Sequence, residues 1–494
     1  MSDSFHSPLV DDLGTFRELG HLAVDFAADY LETLRERPVF TPMTLDERQE
    51  LLTLDLSEEG IPPEELLTTL RDRLFTHPMG NGHPRFFGWV NSPPALPGIL
   101  AEFLAATLNP SCAGGDHAAT YLEHSVIRWL MELIGFPQAK SMGLFVSGAS
   151  MATLTCLAAA RFWAAKEAGW NVREQGLQTQ SPELVLYLSE EGHGCIRKAA
   201  EMLGLGSNAL HLIPTDQSFR MDVAALQAAI QADRAAGRQP FCVAASAGTV
   251  NTGAIDPLSL LAGVCADESL WLHVDGAYGA FGKVNPQVAP LFEGIERAQS
   301  IAIDPHKWLS VPVECGCALV SDKHLLRETF SLVPPYLQLE EGKGFANLPW
   351  LSEYGFQQTR GFRALKVWMV LQTTGRQGLV QRIQRHMTLA QHLAGLIDAA
   401  PDFERVAPVT LSIVCFRYIP PELQGDETSI EQMNRALVPL LQQAGEAFLT
   451  STVLRSQFAL RACVLHDATT SEDLTILLES IRHAAELYRK QGKC

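Results

Sequence analysis

A chain of 494 residues is too long for one ordinary core, so two or three domains are expected. Hydrophobic residues make up 47% and charged residues 19%, a balance that excludes a disordered chain. The formal charge of −18 argues against nucleic acid as the main partner, because phosphate binding needs a cationic surface.

The opening stretch, MSDSFHSPLVDDLGTF, carries acids where a leader peptide carries bases. No run approaches the ~18 apolar residues of a membrane span; LPGILAEFLAATL is interrupted by Glu102. Ten cysteines are scattered without a C-x-x-C pair. Cys315 and Cys317, in an expected strand, do not make a four-ligand metal site, so no metal is expected. Reduced thiols and a cytoplasmic location are the expectation.

Residues 1–90 read as helical and acidic, and too thin in apolar residues for a core of their own. They are expected to pack on something else, such as a second subunit. From about residue 91 to 375, short apolar runs alternate with amphipathic helices. GLFVSG, ELVLYLS, ALHLIP, PFCVAASAG, LWLHVDGAY, SIAIDPH and CGCALVSD are the expected strands. The pattern predicts an α/β fold with a mostly parallel sheet covered on both faces. KVWMVLQTTGRQGLVQRIQRHMTLAQHLAGLID reads as long helix. Residues 376–494, with LSIVCFRYI and QFALRACVL as strands, predict a small α+β domain.

Ligands of such folds sit at the carboxyl ends of the strands, and polar residues gather there. Ser147-Gly148-Ala149-Ser150 opens a helix, as an anion site or as an ordinary serine cap. His193 follows ELVLYLSEEG, as a ring cap or a solvated residue. Thr249 closes PFCVAASAGT. Asp275 ends an apolar strand, where a carboxylate is costly unless it meets a metal, a cationic ring nitrogen or an ion-pair partner. Lys307, in DPHKW, is either a surface charge or an amine nucleophile. Taken singly, each is ambiguous. Taken in order, they suit one ligand with a phosphate, a flat ring, a basic ring nitrogen and an aldehyde, and pyridoxal 5'-phosphate has all four.

The set resembles the group II pyridoxal-phosphate-dependent amino-acid decarboxylases, which include the aromatic-L-amino-acid, histidine and glutamate decarboxylases. HVDGAYGA and DPHKW carry the resemblance most specifically. HPRFFGWV, TYLEHSVIRWL, SGASMATLTCLAAAR, AGTVNTGAIDPL and TRGFRALKVW follow in the family's order. The resemblance implies the aminotransferase-like fold (PLP fold type I) and decarboxylation of an L-amino acid to an amine and CO2. It also implies a homodimer with its active sites at the subunit interface. It implies that Lys307 bonds the cofactor's aldehyde and that Asp275 pairs with the ring nitrogen. His193 would cover one ring face and Ala277 the other. Ala149 and Ser150 would hold the phosphate with His306 nearby, and Thr249 would lie near the 3-hydroxyl.

Tyr336, in a long segment without periodicity, falls where the family places a catalytic lid tyrosine. Related enzymes with phenylalanine there tend toward aldehyde formation. Many members have asparagine in place of Asp304. An aspartate beside a phosphate would be repelled, so Asp304 is expected to turn to an amide or a cation. By register, Trp89 and Ser92 shape the substrate pocket. Asn109-Pro110-Ser111-Cys112 lacks the bulky apolar residues of the animal aromatic decarboxylases. Arg85 and Arg360 could serve an acidic substrate, with a structural role the stronger expectation. An aromatic amino acid is the leading substrate class. An acidic or small polar amino acid, or aldehyde synthesis on the same fold, is the alternative.

Overall fold

The computed structural model describes residues 13–177, 182–332 and 350–490. Tyr336, with residues 333–349 of the expected 331–350 lid, lies outside them. Three helices come first: α1 (Leu13–Glu32), α2 (Leu45–Leu52) and α3 (Pro63–Thr69). The second starts with a capping box between Thr44 and Glu47. None of the three buries a single residue. Helices α4 (Leu96–Leu108) and α5 (Ala118–Ile134) lead into the large sheet.

That sheet has seven strands: β1 (Met142–Val146), β2 (Leu184–Ser189), β3 (Leu210–Ile213), β4 (Gln239–Ser246), β5 (Trp271–Asp275), β6 (Ser300–Ile303) and β7 (Gly316–Val320). Their order is β1-β7-β6-β5-β4-β2-β3. All neighbours are parallel except β7, which runs antiparallel to both β1 and β6. Cys317 lies in β7, whereas Cys315 stops one residue short of it. Val185, Tyr187, Val243, Leu272, Val274, Ile301 and Ile303 feed one buried core. Leu184, Leu186, Leu188, Cys242, Ala244, Trp271 and Ala302 feed the other. The period-two alternation between two apolar faces is why these strands read as continuous apolar runs. Helices α6 (Ala149–Glu167), α7 (Val172–Gln175), α8 (Cys195–Met202), α9 (Val223–Ala235), α10 (Leu258–Asp267) and α11 (Lys323–Phe330) fill the connections.

Helix α12 (Arg363–Ala399) is broken at Gly375, whose φ of 65° and ψ of 170° leave the helical region. A third core follows, in which α12, α13 (Glu427–Ala444) and α14 (Ser471–Lys490) pack on a smaller sheet. Its strands β8 (Phe403–Arg405), β9 (Ile413–Tyr418), β10 (Thr450–Leu454) and β11 (Gln457–Cys463) are antiparallel, in the order β10-β11-β9-β8. Among the described residues, no helix is long and apolar enough to cross a membrane.

Candidate active site

A cavity of about 410 Å³ opens where β4, β5 and β6 end. Its walls include Trp89, Ala149, Ser150, His193, Thr249, Asp275, Ala277, Asp304, His306 and Lys307. Of the described residues expected at the site, Ser147 is not among them, and neither is Ser92. That residue is 6% exposed, and its hydroxyl donates to the His306 carbonyl at 3.2 Å. It therefore braces the backbone next to Lys307 and is not among the cavity walls.

Each wall has a local cause. Helix α6 starts at Ala149 with Gly148 as its cap and no side-chain cap bond, so Ser147 is not the cap. The amides of Ala149 and Ser150 stand in the first turn, where no helical carbonyl can reach them, at the positive end of the helix dipole. His193 lies two residues before α8 and is exposed; its Nδ1 accepts the Cys195 amide at 3.1 Å. Asp275 is the last residue of β5, and its Oδ1 accepts the Ala277 amide at 3.1 Å. Thr249 is buried in a turn in which its Oγ1 accepts the Ala254 amide at 3.1 Å.

Asp304 is only 2% exposed. Its Oδ2 lies 3.2 Å from Lys307 Nζ and 3.6 Å from His306 Nε2. The carboxylate has thus turned to a cation, one of the two partners expected for it. Its Oδ1 is buried without a hydrogen-bond partner. That oxygen lies near Gly316 and Gly148, at the mouth of α6. His306 is held below the usual histidine range, mainly by burial and secondarily through opposing effects of Asp304 and Lys307.

Several wall residues were not anticipated from sequence. Cys195 lines the cavity, and its donor atom lies within 4.8 Å of those of His193 and Asp275. Burial, and then the Asp275 carboxylate, push the Cys195 thiol up to about 12, so it stays protonated near neutral pH. Thr450 and Ser451 come from β10, and Arg461 comes from β11. Arg461 is 4% exposed. Its Nε donates to the carbonyls of Val250 (3.1 Å) and Asn251 (3.2 Å), and its Nη1 to that of Trp89 (2.8 Å). Its Nη2 is buried without a hydrogen-bond partner. The Trp89 backbone is left-handed, at φ 47°, a costly conformation for a bulky residue. The Arg461 bond and ring contacts to Phe448 and Phe86 hold it there.

Arg85 and Arg360 do not line the cavity. Arg85 donates to the Glu446 carbonyl. Arg360 is fully buried on Glu123 and on the carbonyls of Cys112 and Phe145. Both roles are structural, as expected. None of Asn109–Cys112 reaches the cavity.

An anion-binding helix mouth, a strand-end carboxylate, an imidazole and an amine around one cavity define a pocket for a phosphorylated pyridine aldehyde. The residues fit pyridoxal phosphate, with the unpartnered Asp304 oxygen as the one discordant group.

Known proteins agree. The model of the pyridoxal-dependent decarboxylase conserved domain matches residues 46–419. The aromatic-L-amino-acid decarboxylase of Bacillus atrophaeus is 36% identical over 95% of both chains. The phenylacetaldehyde synthase of Arabidopsis thaliana is 30% identical over 92% of both. The crystal structure of Oryza sativa TDC with PLP and tryptamine superposes with a TM-score of 0.89 at 27% identity, covering 97% of this chain and 99% of that one. The chain belongs to the pyridoxal-dependent decarboxylase family and is a pyridoxal-phosphate-dependent amino-acid decarboxylase.

Proposed function

We propose that the chain decarboxylates an aromatic L-amino acid in the cytoplasm, as a homodimer, with Lys307 carrying the cofactor. The observation that carries this reading is the convergence of Lys307, Asp275, His193 and the α6 amides on a single cavity. Pyridoxal phosphate, when bound, supplies an electron sink for the pair left on Cα as CO2 departs.

The chain's own residues supply the rest. Ala149 and Ser150 bind the phosphate through their amides, with His306 beside them. The Asp275 carboxylate, fixed by the Ala277 amide, keeps a proton on the ring nitrogen. With the cofactor bound, His193 would cover one face of the ring and Ala277 would leave room on the other. Thr249 would lie near the 3-hydroxyl. The Arg461 Nη2, buried and unpartnered among the described residues, takes the substrate carboxylate. Trp89, 48% exposed on the cavity wall, offers an indole face to an aromatic side chain. Tyr336 delivers a proton to Cα.

The three-part division at residues 90 and 375 belongs to this proposal, with 1–90 as the dimer-forming segment. Leu13, Phe16, Leu22 and Val24 of α1 are at least 51% exposed, and so is Phe103 of α4, which stacks on Phe16. An apolar surface of this kind calls for a partner, and a second copy is the one proposed. Size measurement in solution should give twice the 54.1 kDa chain mass; a monomer would refute the dimer. The nine described cysteines are free and buried, which suits a reducing compartment.

A panel of amino acids, assayed for CO2 and for amine, tests the reaction and its substrate. Aromatic substrates should dominate. Arg461 also favours a second reading, because its one unpartnered nitrogen, Nη2, would equally hold a side-chain carboxylate. Turnover confined to acidic amino acids would establish that alternative and overturn the first.

A further inference from the structure

Trp308 follows Lys307 directly, and Tyr278 stands three residues after Asp275. The two rings stack at 5.0 Å with 26° between their planes, and both are buried. Each ring is tied at its far side to the C-terminal third of the chain. Trp308 Nε1 donates to His386 Nδ1 at 3.2 Å. The Tyr278 hydroxyl lies 2.5 Å from Ser412 Oγ and accepts the Ser412 amide at 2.9 Å.

His386 is wholly buried on α12. An indole N–H can only donate, so His386 Nδ1 must accept and the ring proton sits on Nε2. That nitrogen lies 3.0 Å from Asp467 Oδ1, so its N–H faces the carboxylate. Arg382 holds the same Asp467 oxygen at 2.7 Å and also reaches the Ser310 hydroxyl, just past Lys307.

We propose that this buried path sets the spacing between Lys307 and Asp275, and that His386 and Asp467 are positioning residues for the cofactor. The path runs Asp467–His386–Trp308–Tyr278–Ser412. It enters and leaves through the C-terminal part of the chain, and its middle carries the neighbours of both groups. The carboxylate ends β5, whereas the lysine lies in the turn four residues past β6, and the stack is a direct side-chain link between their segments. The inference rests on the reading that these two residues hold the cofactor.

The test uses full-length protein with His386→Leu, His386→Asn and Asp467→Asn. Asparagine places an amide oxygen near the Nδ1 position and can still accept from Trp308. Asp467 has a side chain 55% exposed, so its variant should fold whatever becomes of His386→Leu. Three readouts are needed: pyridoxal phosphate affinity, the induced circular dichroism of the bound cofactor, and thermal midpoint.

His386→Leu should weaken cofactor binding about tenfold, the worth of one buried hydrogen bond, and reduce the dichroism per bound cofactor. His386→Asn should restore most of both. Asp467→Asn should shift both in the same direction, with a smaller loss of thermal midpoint than His386→Leu. Wild-type affinity and dichroism in Asp467→Asn and His386→Leu would overturn the inference, and so would failure of His386→Asn to restore either. A wild-type cofactor attached anywhere but Lys307 would overturn the underlying reading, and the inference with it.

Discussion

Replacing Asp304 by asparagine should make the protein bind its cofactor more tightly. The wild-type carboxylate holds Lys307 Nζ at 3.2 Å, and its second oxygen lies unpartnered near Gly148 at the mouth of α6. It therefore opposes the cofactor in two ways, by engaging the amine and by repelling the phosphate. At 3.2 Å and an effective dielectric near 20, the Coulomb attraction is about 5 kcal/mol. Desolvation of the buried carboxylate cancels most of that. A net gain of roughly 1–2 kcal/mol, or about five- to thirtyfold in affinity, is expected for Asp304→Asn. The assay is titration of cofactor-free protein with pyridoxal phosphate, repeated with pyridoxine 5'-phosphate. The second ligand lacks the aldehyde, so its gain reports the phosphate alone. Unchanged or weaker binding of both ligands would refute the reasoning.

Other outcomes follow from the same geometry. Tyr336→Phe should divert product from amine toward aldehyde, ammonia and peroxide with oxygen consumed; amine alone at full rate would remove Tyr336 from the mechanism. Burial holds the fully buried His273 at about 4, against 6.5 when unfolded. The unfolded chain then binds the extra proton, so stability should fall as pH drops from 6.5 toward 4, by up to about 3 kcal/mol from this residue. Urea midpoints at pH 7 and pH 5 should differ less in His273→Gln than in wild type. The described cysteines are buried, with thiols held above their usual range, so a maleimide at pH 8 should label them only after unfolding.

Much of the fold was legible because its strands are short and apolar and its connections amphipathic, and both signals are local. Lys307, Asp275 and His193 were legible because each is a polar residue at the end of such a run. Arg461 was not picked out, although it carried a signal: a charge inside the apolar run QFALRACVL, 4% exposed once folded. Its partners, the carbonyls of Trp89, Val250 and Asn251, are distant in sequence, and no local pattern reports such a contact. Ser92 shows a different limit. Register put it beside the pocket, but side-chain direction is set by tertiary contacts, and its hydroxyl turns to the His306 carbonyl. Asp304 was legible as a problem of charge, and the fold answers only half of it: Oδ2 turns to the Lys307 amine while Oδ1 stays unpartnered.

The most direct test is borohydride reduction of the wild-type holoenzyme, followed by peptide mass mapping. The cofactor should be fixed on the peptide carrying Lys307, and Lys307→Ala should lose both the label and the absorbance band near the visible edge. A reduced cofactor on any other residue, or a purified chain that never takes up pyridoxal phosphate, would contradict the assignment of this cavity.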